Sequence, residues 1–177
     1  MNECAWHGDC ISFCLHQVVG VAFFAADLGR GESSGRTDMK TALRIAVADT
    51  EAEIRRFLYR TLTHEGHRVI VVAENGRQLV DECRESRPDL VITDIEMPEK
   101  DGLTAIHEIG IIAPVPAIII TAHSGREVLM RASQELVFAI LIKPIRMDDL
   151  PPAIWMTMHR YCEVRALRQR LETPGSA

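Results

Sequence analysis

Short apolar runs alternate with longer amphipathic segments along the central part of this chain. Four of the apolar runs lead directly into a polar residue, namely Asp49, Asp94, Thr121 and Lys143. A short apolar run bounded by turn signals is typical of a buried strand. Strands that alternate with helices form a parallel sheet covered on both faces. The pattern therefore predicts an α/β fold in which these four side chains stand at strand ends.

The predicted elements follow one another without interruption from residue 44 onward. Five strands are predicted at Arg44–Ala48, Arg68–Ala73, Leu90–Thr93, Ala117–Ile120 and Val137–Ile142. Helices are predicted near Ala52–Glu65, at Gly76–Ser86 behind Asn75 as a cap, from Asp101-Gly102, at Ser124–Leu136 and after Asp148-Asp149. Five strands in roughly 120 residues suit a doubly wound three-layer sandwich and are too few for an eight-stranded barrel.

The order of the strands decides where a ligand would bind. In the order 2-1-3-4-5 the sheet reverses between strands one and three, and ligands bind outside the carboxyl ends of the strands at such a reversal. In this chain that point lies between Asp49 and Asp94. We therefore expect a flavodoxin-like sheet whose rim gathers two carboxylates, a hydroxyl and an ammonium. These groups together suit the chemistry of an acyl phosphate.

The amino-acid composition argues against some classes of function and agrees with the fold prediction. The 177 residues leave room for one such domain plus extensions. The net charge of -5 argues against nucleic-acid binding as the main activity. Lysine occurs only at positions 40, 100 and 143, so Lys143 is the one lysine at a predicted strand end. The five cysteines lack the spacing of a disulfide framework, which is typical of reduced thiols in a cytoplasmic protein.

The two ends of the chain differ from its central part. We expect residues 1–38 to be a disordered tail or a gene-start artefact, because the segment from Met39 begins a strand as a natural start would. The apolar run Ile11–Ala26 is too short and too polar to span a bilayer, so no membrane association is expected. The central domain is predicted to cover residues 39–158. Residues 159–177 are predicted to form a helical overhang and a tail.

Three motifs together resemble the receiver domain of two-component response regulators, the CheY-like family. They are Asp94-Ile-Glu-Met-Pro-Glu-Lys-Asp-Gly102, Thr121-Ala122 and Lys143-Pro144. The resemblance covers roughly residues 43–160 and extends to the receivers of ANTAR-type antitermination regulators. It implies a signalling domain rather than an enzyme. It also implies that Asp94 is the phosphoacceptor, that Thr121 bonds a phosphate oxygen and that Lys143 neutralises one. The Lys143-Pro144 peptide would then be cis.

The same resemblance implies a cofactor and a partner. The cofactor is Mg²⁺, and the phosphoryl donor is a sensor histidine kinase or a phosphotransfer protein. Magnesium prefers oxygen ligands, keeps several waters and needs only one or two carboxylates. The implied ligands are the carboxylates of Asp49 and Asp94 and the backbone carbonyl of Glu96. The metal and the lysine offset the charge that spreads over the phosphoryl oxygens during transfer.

Several positions depart from the family pattern or vary within it. Receivers usually carry two adjacent acids after the first strand, but Thr50 replaces the second one here, so we expect weaker metal binding. Glu51 is a potential substitute, although it comes one residue late. Ile140 stands where receivers commonly carry an aromatic ring, which predicts an altered conformational readout. Glu96 and His123 occupy positions that tune the lifetime of the acyl phosphate in receivers.

Two other functions remain open from the sequence. A degenerate receiver would bind its partners without phosphate, because Thr50 weakens the metal site. A truncated antitermination regulator would require an RNA-binding output domain, for which we expect no room before Ala177, so nucleic-acid binding by this chain is not expected. A homodimer formed through the C-terminal helix is a further expectation.

Overall fold

Five parallel strands form one sheet in the order β2-β1-β3-β4-β5 in the computed structural model, which describes residues 42–123 and 125–172. The strands are β1 (Arg44–Ala48), β2 (Arg68–Ala73), β3 (Leu90–Asp94), β4 (Ala117–Thr121) and β5 (Val137–Ile142). The helices are α1 (Ala52–His64), α2 (Gly76–Ser86), α3 (Gly102–Ile112), α4 (Arg126–Ala132) and α5 (Leu150–Glu172), with a 3₁₀ turn at Met147–Asp149. The predicted fold class and strand order are confirmed.

The two faces of the sheet are covered by different helices. In β1, Ala46 and Ala48 belong to a buried cluster that includes apolar residues of α2 and α3. Successive side chains of a strand point to opposite faces. Ile45 and Val47 are also fully buried and therefore face the other side of the sheet, where α1 and α5 supply buried residues such as Leu58. This arrangement is the predicted three-layer sandwich.

The strands differ in burial according to their place in the sheet. Every residue of β3 and β4 is buried, as expected for central strands covered on both faces. The edge strand β5 is different, because Val137–Leu141 are only partly buried and Ile142 is exposed. The fifth strand is therefore present as predicted but is less buried than its apolar run indicated.

The helix boundaries follow local capping signals where such signals exist. Asn75 caps α2 as predicted, and its side-chain oxygen accepts a hydrogen bond from the Gln78 N–H at 2.8 Å. The fourth helix is shorter than predicted, since α4 ends at Ala132 and its predicted start at Ser124 lies outside the described residues. Near the end of α5, Leu167 and Leu171 are exposed.

The chain divides into two compact units, and all five strands lie in the unit Lys40–Tyr161. The other unit contains the end of α5 from Cys162 onward. Within the unit Lys40–Tyr161, Cys83 is a buried free thiol. Within residues 42–123 and 125–172, no helix combines the length and the apolar character needed to cross a membrane. The predicted extension 1–38 lies outside the described residues.

Candidate functional site

All four predicted residues lie at the carboxyl ends of strands, and the side chains of Asp49, Asp94 and Lys143 meet there. The ammonium of Lys143, which follows β5, connects the other strand ends to one another. Its Nζ lies 2.8 Å from Asp49 Oδ2 and 2.7 Å from Asp94 Oδ2. Thr121 ends β4 and is buried, and its hydroxyl oxygen accepts a hydrogen bond from the His123 N–H at 3.1 Å. The peptide between Lys143 and the following proline is cis, as predicted.

The carboxylate of Asp94 is held in one orientation by the backbone that follows it. Its Oδ1 atom accepts hydrogen bonds from the N–H groups of Ile95 at 2.6 Å and Glu96 at 3.2 Å. Its Oδ2 atom accepts a hydrogen bond from Lys143 Nζ. Hydrogen bonds to an ionised carboxylate are stronger than neutral ones. The second carboxylate oxygen is thereby fixed on the side of the rim where the lysine lies.

The carboxylate of Asp49 is the most deeply buried acid of the rim. Its Oδ1 atom accepts a hydrogen bond from the Glu51 N–H at 2.8 Å. Its Oδ2 atom forms an ion pair with Lys143 Nζ at 2.8 Å. Burial raises the pKa of Asp49, and the favourable effects of Lys143 and of the Glu51 N–H only partly offset it.

The raised pKa of Asp49 predicts a specific pH dependence of stability. A carboxyl group whose pKa rises on folding binds its proton more tightly in the folded state, so the free energy of unfolding falls as pH rises above the ordinary value of 3.8. Asp49→Asn removes this titration. We expect the stability of Asp49→Asn relative to wild type to increase as pH rises above 3.8, as measured by urea unfolding across a pH series.

Asp101 provides a control, because its pKa is shifted in the opposite direction. Burial alone would raise its pKa, but hydrogen bonds from the Thr104 N–H and hydroxyl, together with Arg131, lower it. Its contribution to stability is therefore present above pH 3.8 and is lost as pH falls through its lower folded-state pKa. Asp101→Asn should accordingly lose stability relative to wild type as pH rises towards 3.8. If the free energies of unfolding of wild type and Asp49→Asn changed with pH in the same way, the effect of burial on Asp49 would be contradicted.

Lys143 carries the positive charge of the rim. Burial opposes its charged form, but hydrogen bonds to Asp49, Asp94 and Glu51 outweigh that effect and raise the pKa of Lys143. The contact with Glu51 Oε1 measures 3.1 Å. Because the pKa lies above its ordinary value, the ammonium stays protonated throughout the neutral range.

An arginine that the sequence analysis did not single out fixes the β1–α1 turn. The guanidinium of Arg55 donates to the backbone carbonyls of Asp49 at 2.8 Å and Thr50 at 2.9 Å. It also donates to the Glu74 carboxylate at 2.9 Å. These bonds hold the turn that carries Asp49 and Glu51. Arg55 is one of many arginines on predicted helices, so no sequence signal distinguished it.

Two glycines allow close backbone contacts around the β3–α3 loop. A Cβ on Gly102 would lie 1.9 Å from the carbonyl oxygen of Asp94, and a Cβ on Gly76 would lie 2.2 Å from the carbonyl oxygen of Lys100. The N–H of Gly102 donates to the Ile95 carbonyl at 2.9 Å. The loop after Asp94 is therefore packed directly against the starts of α2 and α3.

The rim offers two carboxylates to the Mg²⁺ ion that the resemblance implies. Across residues 42–123 and 125–172, no three His, Cys, Asp or Glu side chains are grouped closely enough to hold a metal ion. Magnesium requires only one or two carboxylates, however, and keeps several waters. Asp49 Oδ2 and Asp94 Oδ2 lie 2.8 Å and 2.7 Å from the same Lys143 Nζ, so the two carboxylates are neighbours. The two carboxylates therefore fit Mg²⁺, while the exposed Thr50 adds no charge.

The other predicted positions surround the rim. His123 Nδ1 lies 3.0 Å from Glu96 Oε1, and both side chains are about two-thirds exposed. This pair therefore stands at the solvent side of the site. Ile140 in β5 is partly buried and packs against the core. The ring of Phe138, also in β5, packs edge-on against Tyr161, with the ring centroids 6.1 Å apart. This aromatic contact lies two residues before Ile140, the position at which receivers commonly carry an aromatic ring.

Comparison with known proteins decides the family. The family profile described as the response regulator receiver domain matches residues 45–155, which is more than half of the chain. The chain belongs to the response regulator receiver family. The resemblance found in the sequence is thus confirmed, and this receiver is a domain of two-component signalling systems.

Similar proteins include a transcriptional regulator, a chemotaxis protein and a solved receiver structure. The transcriptional regulatory protein PdtaR of Mycobacterium tuberculosis is 36% identical over 77% of this chain and 68% of its own length. The chemotaxis protein CheY of Bacillus subtilis is 36% identical over 67% of this chain and 99% of its own. A receiver domain protein from Clostridium thermocellum is 30% identical, with a TM-score of 0.62 over 68% of this chain and 98% of its own.

Proposed function

We propose that this receiver accepts a phosphoryl group on Asp94 in a two-component signalling system. The observation that carries the proposal is the position of the Asp94 carboxylate. Two backbone N–H groups orient it, and Lys143 Nζ lies 2.7 Å from its Oδ2 atom. A carboxylate held in this way presents a nucleophilic oxygen at a point where positive charge is already in place.

The proposed reaction is transfer from a phosphohistidine to the aspartate. A carboxylate oxygen of Asp94 attacks phosphorus, the phosphorus–nitrogen bond breaks, and the electron pair of that bond returns to the imidazole ring. The product is an acyl phosphate. Negative charge develops on the phosphoryl oxygens during this step, and Lys143 offsets it. Thr121 lies at the end of the neighbouring strand, and its hydroxyl would donate a hydrogen bond to a phosphoryl oxygen.

Magnesium would assist the same step. When bound, Mg²⁺ would supply positive charge that offsets the negative charge on the phosphoryl oxygens. In this chain the proposed ligands are the carboxylates of Asp49 and Asp94 and the backbone carbonyl of Glu96. The position of Asp49 and Asp94 beside the same lysine supports this assignment, because it gathers two carboxylates, and Mg²⁺ prefers oxygen ligands and needs only one or two carboxylates.

The proposed partners follow from the reaction. A sensor histidine kinase or a phosphotransfer protein supplies the phosphoryl group, and the receiver acts as a signalling domain in the cytoplasm. We also propose a homodimer formed through the C-terminal helix. The exposed side chains of Leu167 and Leu171 near the end of α5 support this proposal, since apolar side chains on an exposed helix face favour helix pairing.

Incubation with acetyl phosphate tests the proposed function. In the presence of Mg²⁺, the intact mass of the wild-type protein should increase by one phosphoryl group. Chelation of divalent ions with EDTA should prevent this increase, because charge on the phosphoryl oxygens then lacks its main counter-ion. A protein whose mass stays unchanged at saturating Mg²⁺ would contradict the proposal.

That negative result would favour a second candidate, a degenerate receiver that binds partners without phosphate. The observation behind this candidate is Thr50, which is exposed and uncharged where receivers usually carry an acid. The weaker alternative of an RNA-binding antitermination regulator stays a prediction. Its support is the similarity to the transcriptional regulatory protein PdtaR.

A further inference from the structure

The guanidinium of Arg55 joins the β1–α1 turn to the β2–α2 loop. Its Nη1 atom donates to the backbone carbonyls of Asp49 at 2.8 Å and Thr50 at 2.9 Å. Its Nη2 atom donates to Glu74 Oε1 at 2.9 Å. A guanidinium is planar and rigid, so contacts made by two of its nitrogens fix its orientation. The carbonyls at the end of β1 are thereby held at a set position relative to Glu74.

The Arg55 side chain is largely removed from solvent. Only 12% of it is exposed, whereas the Glu74 side chain is 68% exposed. A mostly buried charge depends on its hydrogen-bond partners, and losing one costs more than losing an exposed contact. Among the described residues, Glu74 is the one carboxylate that pairs with Arg55. A lysine here would carry the same charge but would lack the planar set of donors that reaches all three acceptors.

The β2–α2 loop that supports Arg55 is itself held on both sides. The Glu74 N–H donates to Gln78 Oε1 at 2.9 Å, and the Gln78 N–H donates to Asn75 Oδ1 at 2.8 Å. Asn75 Nδ2 also donates to Glu99 Oε1 at 3.3 Å, in the loop that follows Asp94. The β2–α2 loop is therefore bonded to both segments that carry the buried acids of the rim.

We propose that Arg55 is a positioning residue for phosphoryl acceptance at Asp94, and that it acts through its shape rather than its charge. This inference rests on the proposed function. The turn that Arg55 holds carries the Asp49 carboxylate, which meets Lys143 Nζ at 2.8 Å. The same ammonium lies 2.7 Å from Asp94 Oδ2. A shift of the turn therefore displaces the lysine beside the accepting carboxylate, and small displacements of reacting groups slow a transfer strongly.

Arg55→Lys tests this role in the full-length protein, because it keeps the charge and removes the planar donors. Phosphoryl incorporation from acetyl phosphate at saturating Mg²⁺, followed by intact mass, should be roughly tenfold slower than in wild type. Arg56→Lys is the matched control, since Arg56 is the exposed neighbour in α1 and the same change there should leave the rate unaltered. Glu74→Gln should also slow incorporation, whereas Glu85→Gln at an exposed position of α2 should not.

Hydrogen exchange of the Glu51 N–H reports on the turn without any phosphotransfer. This group donates to Asp49 Oδ1 at 2.8 Å, so release of the turn should free it for exchange. Arg55→Lys and Glu74→Gln should each raise its exchange rate, measured by NMR, roughly tenfold. The N–H of Ile92, a buried residue of β3, should exchange as in wild type, which verifies that the sheet is intact. If Arg55→Lys disturbs Ile92, the exposed Glu74→Gln decides the test.

The two measurements separate this inference from the proposed function. If wild type takes up a phosphoryl group and Arg55→Lys takes it up equally fast, the role of Arg55 is refuted and Asp94 remains the proposed acceptor. Slow incorporation with unchanged exchange at Glu51 also refutes it, because the turn has then not moved. Equal losses in Arg55→Lys and Arg56→Lys do the same. A wild type that takes up no phosphoryl group overturns the proposed function and this inference together.

Discussion

Asp94→Asn is expected to abolish phosphoryl transfer from acetyl phosphate and to leave the rim folded. Asparagine has nearly the same shape as aspartate, and its carbonyl oxygen can accept the bonds now donated by the Ile95 and Glu96 N–H groups. It lacks the anionic oxygen that attacks phosphorus. Intact mass after incubation with acetyl phosphate and Mg²⁺ should therefore show no added phosphoryl group, at every time point at which wild type is modified.

Asp81→Asn is the matched control for this result. Asp81 is an exposed residue of α2, so the same chemical change there should leave the rate of modification unaltered. Modification of Asp94→Asn at the wild-type rate would place the acceptor elsewhere in the chain and remove the basis of the proposed function. Circular dichroism spectra of the three proteins should coincide, which excludes loss of fold as the cause.

Gly102→Ala is expected to destabilise the protein by about 3 kcal/mol, although only one methyl group is added. A Cβ at this position would lie 1.9 Å from the Asp94 carbonyl oxygen and 3.2 Å from Thr93 Oγ1. The first of these atoms belongs to the backbone, so relief requires α3 or the end of β3 to move. Urea unfolding measures the loss of stability, and phosphoryl incorporation should fall as well, because the displaced backbone carries Asp94.

Gly110→Ala in the same helix should have the opposite effect. No atom lies within 4 Å of the Cβ that this substitution would add. Alanine is favoured over glycine inside a helix, so we expect a gain of about 0.5–1 kcal/mol. A Gly102→Ala protein as stable as Gly110→Ala would show that the β3–α3 loop yields easily, and would contradict the tight packing described around Asp94.

Much of this fold could be predicted from the sequence, because two signals agreed. Apolar runs of five or six residues marked the strands, and the cap at Asn75 marked the start of α2. The alternation of strands and helices then restricted the topology to few possibilities. Since parallel strands end at the same edge, the meeting of Asp49, Asp94 and Lys143 followed from the strand order before any contact was known. The functional roles of these residues stay predictions.

The features that the sequence did not reveal depend on tertiary contacts. The sequence of β5 is as apolar as that of β4, yet β5 is only partly buried because it forms the edge of the sheet. The polar residues of the β1–α1 turn show no pattern that marks Arg55 as the residue binding its carbonyls. The contact of Glu51 with Lys143 likewise has no local sequence signal, because the two residues come together only in the folded sheet.

The ion pairs of Lys143 with Asp49 and Asp94 compensate the charge of the buried acids without a metal ion. The Lys143 ammonium already compensates the paired carboxylates within the chain, at 2.8 Å and 2.7 Å. Folding therefore does not have to await an ion from solution. On the proposed function, removal of divalent ions would therefore stop phosphoryl transfer and leave the receiver folded.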